Sequence, residues 1–281
     1  MATYSEKAEK ATGLQLSDAH FHLGFVSNPV DFAVDAQRAG APVFAASVTP
    51  SEYRDTKRAL CWAAAPLQPV GDSVSIKLAV GLHPWWVSAD ERRLAAVLRA
   101  FDGALPETQY VGEVGLDFSK RRIATRDAQL RAFRHIANAC AKDGGKVLSI
   151  HCVKAYDDVL SILDSSGCFA SCTCIFHWFS GSFQQLEQAA DAGCFFSVGA
   201  RMLETKKGSE YAKAVPLRKL LLETDAPAAI DPEQEHPSVL YSYDQMRLQL
   251  VETLRRLVRI RGIGESELAA MVQQNACEVF C

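Results

Sequence analysis

Eight short apolar runs recur along the chain, at Leu14–Asp18, Val43–Thr49, Ile76–Leu82, Tyr110–Gly115, Val147–His151, Thr173–His177, Cys194–Val198 and Lys219–Glu223. They read as continuous apolar segments more than as alternating ones, which is the pattern of strands buried on both faces. The stretches between them carry helical spacing. Residues 90–102 place Leu94, Val97, Leu98 and Phe101 on one face, and residues 126–142 do the same with Leu130, Phe133, Ile136 and Ala137. Further helices are expected over 154–164, 239–261 and 265–280. Strand–helix alternation repeated through one chain predicts an α/β fold of the (β/α)8 TIM-barrel type, with an open doubly wound sheet as the alternative. No long linker interrupts the pattern, so residues 1–281 are expected to form a single domain.

Composition narrows the options. Hydrophobic residues make up 48% of the 281 and charged residues 22%, enough apolar material for a full core. The net charge of −3 excludes a basic coat. A nucleic-acid substrate would have to be held by a local patch and by metal. Cysteines number nine, an odd count that suits a reducing compartment. Cys168, Cys172 and Cys174 lack a CxxC knuckle and read as small residues packed around a strand. Residues 1–13 show no signal peptide, and no apolar run is long enough to span a membrane, so a cytoplasmic location is expected.

In a parallel barrel the chemistry lies at the C-terminal ends of the strands. Five of the seven histidines sit at such ends: His20 and His22 after the first run, His83 after the third, His151 at the end of the fifth and His177 at the end of the sixth. Residues two apart on a strand point the same way, so His20 and His22 can reach one ion. Glu113, set between Gly112 and Val114-Gly115, would be a costly buried carboxylate unless paired or bound to a cation. Its two oxygens could bridge two ions. Asp225 ends the eighth run and could bind an ion and take a proton from water. Glu223 is the competing carboxylate, expected to share a face with Asp225 and to support the ligands, as Asp117 is. His83, Lys120 and Trp178 are candidate substrate contacts. Trp85, Trp86 and Trp178 could form an aromatic rim for unpaired bases. Lys120-Arg121-Arg122 and Lys206-Lys207 fall on the catalytic side, whereas Arg255, Arg256, Arg259 and Arg261 read as a solvated helix face.

Together these segments resemble the TatD family of metal-dependent deoxyribonucleases, within the amidohydrolase-like barrels. The match runs from Asp18-Ala19-His20-Phe21-His22 through Gly81-Leu82-His83-Pro84, Gly112-Glu113-Val114-Gly115-Leu116-Asp117, Ile150-His151 and Phe176-His177-Trp178-Phe179-Ser180-Gly181 to Leu222-Glu223-Thr224-Asp225-Ala226-Pro227. The resemblance implies a barrel with two, sometimes three, divalent ions, with Zn, Mn or Mg as candidates. It implies cleavage of DNA phosphodiester bonds, often from the 3′ end of a single strand. By that likeness His20, His22, Glu113 and Asp225 hold one ion, and Glu113, His151 and His177 the other. The chain departs from the family pattern at Val153, where an arginine is usual, at Trp178, where a cysteine is usual, and at Glu235-His236-Pro237-Ser238, which stands in place of an Arg-Asn-Glu-Pro stretch.

The expected protein is thus a monomeric hydrolase acting on single-stranded DNA or its 3′ ends. The alternatives are metal-dependent amide or ester hydrolysis, on a small molecule or an aminoacyl-tRNA, and a non-catalytic subunit that retains the fold.

Overall fold

The computed structural model describes residues 15–63, 75–228 and 238–281. The expectations for Leu14, for residues 1–13 and for the Glu235-His236-Pro237 stretch lie outside these. The strands are β1 (Asp18–Phe21), β2 (Val43–Ala46), β3 (Ile76–Leu82), β4 (Tyr110–Asp117), β5 (Val147–Val153), β6 (Thr173–His177), β7 (Phe195–Val198) and β8 (Leu220–Leu222). All neighbours pair in parallel, in sequence order.

The ring closes just beyond β8. Phe21 bridges to Ala226. The His22 N–H donates to the Ala226 carbonyl at 2.8 Å, and the Asp225 N–H to the His20 carbonyl at 3.0 Å. Asp18 fastens the same seam from below. Its carboxylate accepts the Thr224 N–H at 3.1 Å and the Thr224 hydroxyl at 2.6 Å. Burial pushes this carboxyl up to about 7.

Ten α-helices are described: α1 (Pro29–Ala39), α2 (Pro50–Ala63), α3 (Glu91–Ala104), α4 (Arg126–Asp143), α5 (Tyr156–Ser166), α6 (Cys168–Ser171), α7 (Phe183–Asp191), α8 (Lys206–Ala214), α9 (Tyr243–Arg261) and α10 (Glu265–Phe280). Local chemistry sets several ends. Pro29 opens α1 and Gly40, with φ +69°, closes it. Ser182 with Gln185, and Ser242 with Gln245, form capping boxes that start α7 and α9. None of the described helices is long and apolar enough to cross a membrane.

Two apolar clusters result. The larger fills the layer between strands and helices. The smaller joins Phe44, Val147, Ile175, Phe195 and Leu221 to Val279 and Phe280 of α10. By strand alternation these residues point inward, so the smaller cluster plugs the barrel beneath its catalytic mouth. All nine cysteines are free thiols, and Cys168 and Cys174 are buried as expected of packing residues.

One strand was misplaced by its apolar run. β1 starts at Asp18 rather than ending there, because its buried polar residues carry the strand past the last leucine. His20 therefore lies within the strand, and His151 likewise lies within β5 rather than at its end.

β4 bends at Gly112–Glu113, where its register with β3 shifts. There Ser47 bonds to both residues, its N–H to the Gly112 carbonyl at 2.8 Å and its carbonyl to the Glu113 N–H at 2.9 Å. This pair passes directly over Gly81 of β3, where a Cβ would stand 1.8 Å from the Ser47 oxygen. The absence of a side chain at Gly81 lets β4 reach across and aim Glu113 at the barrel axis. The Gly112–Glu113 and Ala226–Pro227 peptides are cis.

Candidate metal centre

Side chains from five strand ends converge on Glu113, which is almost fully buried. Its Oε2 lies 3.4 Å from Nε2 of His20 and 3.5 Å from Nε2 of His22. Oδ1 of Asp225 completes this group, 3.4 Å from His22 and 4.0 Å from His20. Its Oε1 faces a second group, 2.7 Å from Nδ1 of His151 and 2.8 Å from Nε2 of His177. The sequence-predicted ligands are therefore all brought together, with one carboxylate between two sets of imidazoles.

The donor set fits divalent ions. Ligands about 2.1 Å from a tetrahedral ion stand about 3.4 Å apart, which is the spacing of the first group. Imidazole mixed with carboxylate suits Zn and Mn, and carboxylate also serves Mg. Nδ1 of His20 lies 2.7 Å from the Ser149 hydroxyl. With that N–H donated to Ser149, the His20 Nε2 lone pair faces His22 at 3.4 Å, a contact that a cation relieves.

Electrostatics agree. Burial pulls the His20 imidazole down to about 4, keeping it neutral. Burial works against ionised Glu113, but the surrounding His83, His177 and His20, with the bond from His151, hold it well below the usual carboxylate range. Asp225 is lowered in the same way, with His22 outweighing burial. Burial opposes charge on His151 too, yet its bonds to Asp117 and Glu113 raise it to about 9.

His83 plays a different part. Its Nδ1 accepts the Trp85 N–H at 3.1 Å, so the neutral ring carries its proton on Nε2. That Nε2 donates toward Glu113 Oε1 at 3.1 Å. His83, Glu113 and His151 are close enough to form a ligand group, but this tautomer makes His83 a donor.

Two further carboxylates brace the ligands. Asp117 accepts the Trp85 indole N–H at 2.6 Å and stands 3.4 Å from His151 Nε2. Glu223 accepts the Trp178 N–H at 3.2 Å and the Ser197 hydroxyl. Burial, reinforced by the nearby Asp225 charge, pushes Glu223 well above the usual range. Glu223 and Asp225 do not continue one strand face as expected. β8 ends at Leu222, and Asp225 adopts a left-handed φ of +50°. Trp178 is also left-handed, at +41°. Such backbone in non-glycine residues costs of order 1–3 kcal/mol and concentrates at functional sites.

A cleft of about 270 Å³ opens above the centre, walled by Trp85, Val153, Trp178 and Arg201. Lys120 is exposed on the turn after β4 and does not line it. Arg122, two residues on, lies over the Trp85 ring at 4.8 Å. Sequence reasoning missed Arg201, Ser149 and the seam role of Asp18. Arg201 could have been found, because it follows the seventh apolar run by three residues, where the strand-end rule looks.

The comparisons with known proteins agree with this geometry. The sequence profile described as TatD related DNase matches residues 17–281. The 3′–5′ ssDNA/RNA exonuclease TatD of Salmonella typhimurium is 28% identical over 276 residues, covering 92% of this chain and 98% of that protein. A crystal structure of a TatD family hydrolase from Entamoeba histolytica superposes with a TM-score of 0.73 at 15% identity, covering 95% of this chain and 98% of the other. The structure of YJJV, a TatD homologue from Escherichia coli K12, gives 0.72 at 20% identity, with the same coverage. A barrel whose mouth gathers these histidines and carboxylates, matched by the profile along nearly its whole length, belongs to the TatD-related DNase family.

Proposed function

We propose that the protein is a divalent-metal-dependent deoxyribonuclease that hydrolyses phosphodiester bonds of single-stranded DNA from the 3′ end. The observation that carries this reading is the position of Glu113, with one oxygen on His20 and His22 and the other on His151 and His177. One ion would be held by His20, His22, Glu113 and Asp225, and a second by Glu113, His151 and His177. Zn, Mn and Mg all suit these donors. When bound, such ions supply the positive charge that acidifies water and offsets charge building on the phosphate oxygens.

The chain's own side chains do the rest. Asp225, ionised and at the cleft, takes the proton from the attacking water on a carboxylate oxygen. Glu223 is unsuited to that role, since its environment favours the protonated acid. His83 lines the cleft and directs its Nε2–H at Glu113 Oε1, holding the central carboxylate in place. Asp117 orients His151, and Glu223 holds the backbone of Trp178. Trp85 and Trp178 offer faces for unpaired bases.

The test is digestion of a 5′-labelled single-stranded DNA with Mn or Mg, by wild type and by Glu113→Ala. The reading expects a metal-dependent ladder shortening from the 3′ end that vanishes in the variant. An intact substrate after incubation with metal-loaded wild type would sink it. The apolar Val153 in the cleft wall favours a second reading, hydrolysis of a small ester or amide, so those substrates belong in the same assay.

A further inference from the structure

We propose that Arg201, seated on the face of Trp178, is the residue that grips a substrate phosphate beside the metal centre. The inference rests on the nuclease reading and names its phosphate contact.

A phosphodiester entering this cleft meets the carboxylates of Glu113 and Asp225 and an apolar Val153. Among the residues lining the cleft, Arg201 is the one whose positive charge is permanent. It comes from the turn after β7, and its guanidinium lies 4.8 Å from the centre of the Trp178 ring. The ring contact holds the guanidinium at the cleft, where its fork of N–H groups can bind phosphate in a bidentate manner. The side chain is about half exposed, at 49%. One nitrogen reaches Oδ2 of Asp225 at 3.4 Å, while Asp225 Oδ1 faces the histidines. The guanidinium is therefore tethered beside the reacting centre by a long ion pair, half-exposed on the arginine side and largely buried on the Asp225 side.

The same pairing of arginine on tryptophan occurs at Arg122 and Trp85, three strands away around the mouth. Only the Trp178 pair places its arginine in the cleft itself. Arg201 is thus positioned for the phosphate nearest the metal centre, and a single strand threading between Trp85 and Trp178 would present one there.

The test compares wild type, Arg201→Gln and Arg201→Lys, each checked for metal content and melting temperature. Two measurements are made across a salt series: cleavage of 5′-labelled (dT)10 in Mn, and anisotropy of fluorescein-labelled (dT)10 in Ca. Arg201→Gln is expected to raise KM about 10- to 100-fold with kcat changed less than about threefold. Its log–log salt dependence should be shallower by about 0.7, one phosphate contact on a single strand. Arg201→Lys should restore the slope, through its charge, but only part of the affinity. An unchanged KM and slope in Arg201→Gln would overturn the proposal. So would lost metal with an unaltered slope, since that makes Arg201 a support for Asp225 alone. Wild type that binds (dT)10 without cleaving it would sink the hydrolysis reading and leave the slope to decide on Arg201. Wild type that neither binds nor cleaves would sink both.

Discussion

Ser149 Oγ and His20 Nδ1 lie 2.7 Å apart, both fully buried, one strand face of β5 bonding to a ligand candidate on β1. The bond fixes the orientation of the ring and turns Nε2 toward Glu113. Removing such a partner behind a metal-binding histidine typically costs about 10- to 100-fold in metal affinity. Ser149→Ala should therefore lose divalent-ion affinity in that range, read by competition with a chelating dye, while its fold remains intact by circular dichroism. Unchanged affinity would show that packing alone orients His20.

Gly115 of β4 has a φ of +140°, and a Cβ there would stand 2.0 Å from the His151 carbonyl oxygen. No side chain can move to relieve a clash with backbone. Gly115→Ala is expected to destabilise the protein by about 2–3 kcal/mol or more, through overpacking and an unfavourable backbone conformation. Urea unfolding of the metal-free protein measures it, and a midpoint within error of wild type would contradict the local geometry.

Asp117 serves both Trp85 and His151, which an amide cannot do equally. Asp117→Asn should weaken metal binding about 10-fold or more. It should also change Trp85 fluorescence, because the amide loses the charge that receives the indole N–H. A variant with native metal affinity would assign Asp117 to the tryptophan alone.

Protons and metal compete for His151. Its pairing with the carboxylates, against the opposing effect of burial, raises the folded pKa to about 9 from the ordinary histidine value of 6.5. In the metal-free protein that pairing contributes fully below about pH 6.5 and is lost as the pH rises through about 9. Metal affinity moves the other way and should climb across the same window. Adding Mn to metal-free protein at about pH 7.5 in weak buffer should release about one proton per molecule. A titration with no proton release would place His151 outside the ligand set.

Much of this fold was legible because the strands are buried on both faces, and seven of the eight, β2 to β8, advertise themselves as apolar runs. Ile76–Leu82 and Thr173–His177 match their strands residue for residue. β1 was displaced because Asp18, His20 and His22 bury polarity that hydrophobic pattern cannot see. Helices α1, α2, α6, α7 and α8 went unnamed. All but α2 are short, from four to eleven residues, so each offers few apolar positions from which to read a helical period. The candidate ligands could be picked out because strand ends are where a parallel barrel does chemistry. Ser149 could not, because it is a small residue inside a strand, whereas Arg201, three residues past the seventh run, was in reach of the strand-end rule and was passed over.

The seam between β1 and the segment after β8 also has a temporal meaning. Among the described residues His20 and His22 belong to the first strand and the residue after it, and Asp225 lies beyond the last. Bridging them requires Asp18 to catch Thr224 and the ring to shut. A half-made chain holds only a fragment of the ligand set. A chain cut before β8 would lose Asp225 and the bridge from Asp18 to Thr224 together.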